Sequence, residues 1–133
     1  MNTLKIHHIG YLVKKINAAV KEFEHLGFLV THDITYDDCR KINICFLEKD
    51  GYVVELVSPT DSTSVVAGLL KKYKNSPYHI CYESEHFEED YANLQEEGYL
   101  AIDAPLPAPA IDSRPVVFLI NANLGMIELL KKN

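Results

Sequence analysis

Residues 6–13, IHHIGYLV, are answered by residues 77–84, PYHICYES, so that His8 and His79 stand 71 positions apart near the start of two β-rich runs. The correspondence continues outward from these segments. Ile16, Val20, Phe23 and Leu26 recur at helical spacing before Gly27; Phe87, Tyr91 and Leu94 do the same before Gly98. Each glycine is a plausible helix stop, and Gly27-Phe28 and Gly98-Tyr99 then open a further strand. INICFL at 42–47 resembles PVVFLI at 115–120, and GYVVELV at 51–57 resembles GMIELL at 125–130. The joining segments, EKDG at 48–51 and NANLG at 121–125, read as hairpin turns. Each half therefore reads β-α-β-β-β, an α+β arrangement in which two halves can bury sheet faces that neither could bury alone.

Two segments lie outside the repeat. Residues 61–75, DSTSVVAGLLKKYKN, read as a linker with a short helix that Ser62 or Ser64 would cap, with Val66, Leu69 and Leu70 as its apolar side. Residues 104–115, APLPAPAIDSRP, carry four prolines and read as an extended loop rather than a ladder strand. A length of 133 residues suits one domain, 1–133, made of repeat 4–59 and repeat 76–132 with the linker helix between them.

The totals exclude several classes of function. A net charge of −6 with no Lys/Arg-rich run argues against nucleic acid. Three cysteines without a CxxC pair argue against a disulfide scaffold or a cysteine-only zinc site. No apolar run reaches the roughly 18 residues of a membrane span, and MNTLKIHHIGYLV lacks the features of a secretory signal. A soluble cytoplasmic protein acting on a small molecule is expected.

Chemistry concentrates at the repeated positions. Alternation in a strand puts Glu55 on one face with Val53 and Val57, and Glu128 on one face with Met126 and Leu130. Both strands read as buried on both faces, where an isolated carboxylate would cost several kcal/mol, roughly, unless paired or protonated. Each half thus offers one histidine from its first strand and one glutamate from its last. Two carboxylates and two neutral imidazoles around a divalent cation sum to zero charge, and nitrogen and oxygen donors without thiolate suit Ni²⁺, Co²⁺, Mn²⁺, Fe²⁺ or Zn²⁺. The expected metal ligands are His8, Glu55, His79 and Glu128. His7 rivals His8, and the match with His79 decides for His8. His25 and His32 read as solvent-facing, His86 as a helix-start residue, and the cysteines other than Cys39 as small core residues.

With HHIG, VVELV, YHICYE and GMIELLK in a doubled βαβββ frame, the chain resembles the vicinal oxygen chelate (glyoxalase/bleomycin-resistance) superfamily from about residue 4 to residue 132. The resemblance implies paired mixed sheets forming an open, barrel-like cleft around the metal. Among its members the chain looks most like bacterial glyoxalase I and methylmalonyl-CoA epimerase. The glyoxalase resemblance implies isomerisation of the methylglyoxal–glutathione hemithioacetal to S-lactoylglutathione through an enediolate. Ni²⁺ is then the favoured ion, with Co²⁺ or Zn²⁺ next, and glutathione is the co-substrate thiol. Glu128 would carry the proton and Glu55 would serve the opposite face. Leu12 and Pro59 stand where typical glyoxalases carry an arginine and an asparagine, so Arg40 and Arg114 are the candidate substrate-binding cations. The linker SPTDSTSVVAGLLKKYKN and the proline-rich segment are similar to those of the epimerases, whose first-half base position falls on Cys39, beside Asp37 and Asp38. Glyoxalase I is the main expectation and epimerase the alternative. A non-catalytic small-molecule binder of the same fold is the third reading, and a homodimer is expected.

Overall fold

The computed structural model describes residues 3–133 and divides the chain into two compact units. One runs from His8 to Tyr78; the other holds the residues up to His7 together with His79–Asn133. The first repeat supplies β1 (Lys5–Leu12), α1 (Ile16–His25), β2 (Leu29–Asp37), β3 (Ile42–Lys49) and β4 (Tyr52–Pro59). After α2 (Ala67–Tyr73), the second repeat supplies β5 (Ser76–Ser84), α3 (Phe87–Glu96), β6 (Leu100–Ala101), β7 (Leu106–Ala108), β8 (Arg114–Asn121) and β9 (Gly125–Lys131). The doubled βαβββ reading holds.

In the first repeat the strand order is β2-β3-β4-β1, antiparallel except that β1 runs parallel to β4. In the second it is β5-β9-β8-β6, with β5 parallel to β9 and β7 also on β8. The helices end alike. Gly27 and Gly98 both have φ of +96°, which only glycine adopts freely. Phe28 N–H reaches Phe23 O and Tyr99 N–H reaches Leu94 O, closing the same glycine-stop motif twice. Alternation then sorts the side chains. Cys45, Leu47, Val54 and Leu56 pack with Val13 and Ile16, with Phe23 of α1 lying over them. Val117, Leu119, Ile127 and Leu129 pack with Phe87 and Leu94. The opposite strand faces carry His8, Phe46 and Glu55 in one repeat and His79, Phe118 and Glu128 in the other.

Two expectations are corrected. The proline-rich segment does contain a ladder strand, because Leu106–Ala108 pairs with β8 and sets Pro107 opposite Pro115. A proline lacks only its N–H, and in an antiparallel pair alternate residues direct that group away from the partner. The short linker helix is Ala67–Tyr73, and neither Ser62 nor Ser64 caps it. Ser64 Oγ donates instead to Arg40 O and accepts from Val66 N–H. Strand β6 has two residues where β2 has nine, so the repeats diverge most after the helix.

No helix among the described residues is long and apolar enough to cross a membrane.

Candidate metal centre

Within the first repeat, Gly10 of β1 lies opposite Glu55 of β4, and Phe46 of β3 lies opposite Glu55 on the other side. His8, two residues before Gly10, shares its face. Its Nε2 sits 3.3 Å from Glu55 Oε1, and Phe46 meets the imidazole edge-on with ring centroids 5.4 Å apart. The second repeat reproduces every element of this register. Cys81 of β5 and Phe118 of β8 flank Glu128 of β9. His79 Nε2 lies 3.1 Å from Glu128 Oε1, and Phe118 stands edge-on to His79 at 5.1 Å. One βαβββ frame thus builds the same His–Glu–Phe arrangement twice.

All four donors are buried: His8 is 1% exposed, Glu55 5%, His79 4% and Glu128 3%. Each repeat thus buries one imidazole nitrogen against one carboxylate oxygen, a donor chemistry that suits a divalent metal. The geometry within each pair fits that assignment. Two ligands each about 2.1 Å from one ion, at angles between 90° and the tetrahedral value, lie roughly 3.0–3.4 Å apart. Both N···O distances fall in that interval. The edge-on phenylalanines set an apolar ring against each imidazole.

The other expected site residues, Arg40 and Arg114, are each held by a carboxylate. Arg40 Nη1 donates to Asp37 Oδ2 at 2.8 Å, and its backbone N–H to Asp37 Oδ1 at 3.0 Å. Arg114 Nε donates to Lys131 O, and its Nη2 to Glu83 Oε2. Each guanidinium is therefore engaged within its own unit. Asp37 is 1% exposed, so removal of the guanidinium takes away the cation that balances a buried charge, leaving the backbone N–H bond. Arg40→Ala is expected to cost about 3 kcal/mol, the low end for a broken buried pair because the arginine keeps some exposure. The urea midpoint of the variant measures this, and a loss under about 0.5 kcal/mol would mark the pair as a solvated surface contact.

His7 is half-buried, on the face opposite His8, and His25 and His32 are exposed as expected. Cys45 and Cys81 are buried, and burial pushes the Cys45 thiol up. Cys39 is exposed. Sequence reading missed the phenylalanines as parts of the site, although the Phe46–Phe118 correspondence was visible in the repeat. It also missed Asp37 and Glu83 as anchors of the two arginines.

A model of the Glyoxalase/Bleomycin resistance protein/Dioxygenase superfamily matches residues 7–118. The chain belongs to this superfamily. Among curated proteins, an ethylmalonyl-CoA/methylmalonyl-CoA epimerase of Cereibacter sphaeroides is 26% identical over 117 residues, which cover 86% of this chain and 87% of the relative. Among solved structures, a hypothetical protein of Bacillus halodurans C-125 superposes with a TM-score of 0.87 at 24% identity, covering 98% of this chain and 96% of the other. A methylmalonyl-CoA epimerase variant of Streptomyces coelicolor, in complex with 2-nitronate-propionyl-CoA, superposes with a TM-score of 0.83 at 20% identity, covering 96% of this chain and 94% of the other. The superfamily's fold is the one described above. The named relatives are epimerases and not glyoxalases.

Proposed function

We propose that this superfamily member is a metal-dependent epimerase that exchanges the C2 proton of a 2-substituted malonyl-CoA thioester. The observation that carries the reading is the nearly end-to-end match to an ethylmalonyl-CoA/methylmalonyl-CoA epimerase. It favours the epimerase alternative over the expectation of a glyoxalase I. A second fact agrees with it: Leu12, at the position where glyoxalases hold the glutathione carboxylate with an arginine, is fully buried and offers no cation.

In this reading His8, Glu55, His79 and Glu128 together hold one divalent cation, each repeat giving an imidazole nitrogen and a carboxylate oxygen. When bound, the cation supplies Lewis-acid polarisation of the substrate's oxygens, which acidifies the neighbouring C–H. The remaining work falls to the chain. Epimerisation removes a proton from one face of C2, leaves its electron pair delocalised into the thioester, and returns a proton to the other face. Glu128 and Glu55, equivalent carboxylates among apolar neighbours, are the groups assigned to take and return it. Asp37 is committed to Arg40. Phe46 and Phe118 set apolar rings beside the two imidazoles.

The test is solvent exchange. Metal-stripped protein, reloaded separately with Co²⁺, Ni²⁺ or Zn²⁺, is incubated with methylmalonyl-CoA in D₂O and C2 is followed by proton NMR. Metal-dependent deuterium incorporation is expected, with no lactoylglutathione formed from methylglyoxal and glutathione in parallel. Silence at C2 with every ion overturns the reading, and lactoylglutathione in its place restores the glyoxalase.

A further inference from the structure

Away from the His–Glu pairs, the His8–Tyr78 unit carries a groove of about 390 Å³ lined by Lys14, Ala67, Leu70, Lys71, Lys74 and Asn75. Three lysines therefore share one concavity on a chain of net charge −6. Lys14, Lys71 and Lys74 form no ion pair among the described residues. The groove is therefore a local basin of positive potential on an acidic protein, which concentrates anions.

Its backbone is braced. Lys14 N–H donates to Asn75 Oδ1 at 2.9 Å, and Lys14 O accepts from Ser58 Oγ at 3.0 Å. Lys74 N–H donates to Leu70 O at 2.8 Å, and Lys74 O accepts from Ser76 Oγ at 3.2 Å. The Asn75 side chain thereby ties the segment after β1 to the segment after α2. Lys71 stands in the last turn of α2, where a cation is favoured by the helix end alone. That reason does not cover the other two. Lys14 lies outside any helix, and Lys74 has φ of +62° and ψ of −164°, a backbone region that is essentially glycine's own. Glycine would remove the strain at Lys74.

We propose that this groove holds the phosphate groups of the CoA carrier, with Lys14, Lys71 and Lys74 as the contacts. The assignment of the carrier rests on the epimerase reading. The dimensions agree with it. Lys14 lies six positions beyond His8, a span of at most about 20 Å along extended chain. A pantetheine arm of thirteen bonds from sulfur to phosphorus extends roughly 15 Å on the same scale, and a lysine side chain covers the remainder. Leu70 and Ala67 give the groove an apolar floor suited to the purine face or the geminal methyls of the carrier.

Calorimetry with metal-loaded full-length protein tests the proposal, using CoA, 3′,5′-ADP and inorganic pyrophosphate as probes. Lys71→Ala and Lys74→Gly are each expected to weaken CoA and 3′,5′-ADP binding at least fivefold at low salt, and the pair together by more than tenfold. Lys74→Gly should also raise Tm, since it relieves strain; a purely structural lysine would not lose affinity while the fold gained stability. In the exchange assay the preference for methylmalonyl-CoA over methylmalonyl-pantetheine should fall at least tenfold in the double variant. Unchanged affinity in both single variants overturns the proposal. If the wild type binds CoA through these lysines but exchanges no proton, the groove stands and the epimerase reading falls. If exchange is present and the lysine variants match wild type, the reverse holds.

Discussion

Metal-loaded Glu128→Gln protein is expected to exchange the C2 proton of methylmalonyl-CoA about a thousandfold more slowly than wild type, a loss near 4 kcal/mol of transition-state stabilisation. Glutamine keeps the shape of the side chain and an oxygen facing His79, so the register of β9 against Cys81 and Phe118 is undisturbed. It removes the negative charge and the basicity, and proton transfer by a positioned base contributes roughly 10²–10⁴-fold. The neighbours Ile127, Leu129 and Leu130 are buried and untouched, so the circular dichroism spectrum should remain that of wild type. Exchange by NMR measures the rate. Full activity in a folded, metal-loaded variant would remove Glu128 from the proton path and leave Glu55→Gln as the next variant to examine.

Stripping the divalent ion is expected to abolish exchange and lower Tm by about 10 °C. An ion held at a hundred times its Kd stabilises the native state by about 2.7 kcal/mol, and each kcal/mol moves Tm by a few degrees in a domain of this size. The physical reason lies in the two buried carboxylates. With the ion, the two negative charges are balanced; without it, each buried carboxylate keeps the imidazole 3.1–3.3 Å away but loses the cation's compensating charge. Titration of stripped protein should show one ion per chain and recovery of both Tm and exchange. A Tm indifferent to chelator, with no stoichiometric binding, would reduce each His–Glu pair to an ordinary buried ion pair and remove the basis of the Lewis-acid reading.

Much of this site was legible because it is repeated. A lone histidine or glutamate in a strand says little, but His8 with Glu55 and His79 with Glu128 recur at offsets of 71 and 73, and the strands align them in the same register. The glycines after both helices and the Asp50-Gly51 turn, where both residues have positive φ, are local signals that act without tertiary help. The proline-rich segment was misread for the opposite reason. Whether a missing N–H matters depends on which way it would point, and that is set by the partner strand, here through Pro107 opposite Pro115. Arg40 and Arg114 illustrate the same boundary. Arg114 finds Glu83 thirty-one positions away, a pairing that no local pattern announces.

By itself the sequence determined the two βαβββ repeats, the helix stops, and the four residues able to ligate a metal, because periodicity and turn chemistry are encoded over a few neighbouring residues. Only the tertiary structure decided that each imidazole faces its carboxylate beside a phenylalanine, that the arginines are anchored within their own units, and that three lysines share one groove. Those outcomes depend on strand register and on contacts between segments distant in the chain, where burial and the alignment of hydrogen bonds, rather than local propensity, choose the partner.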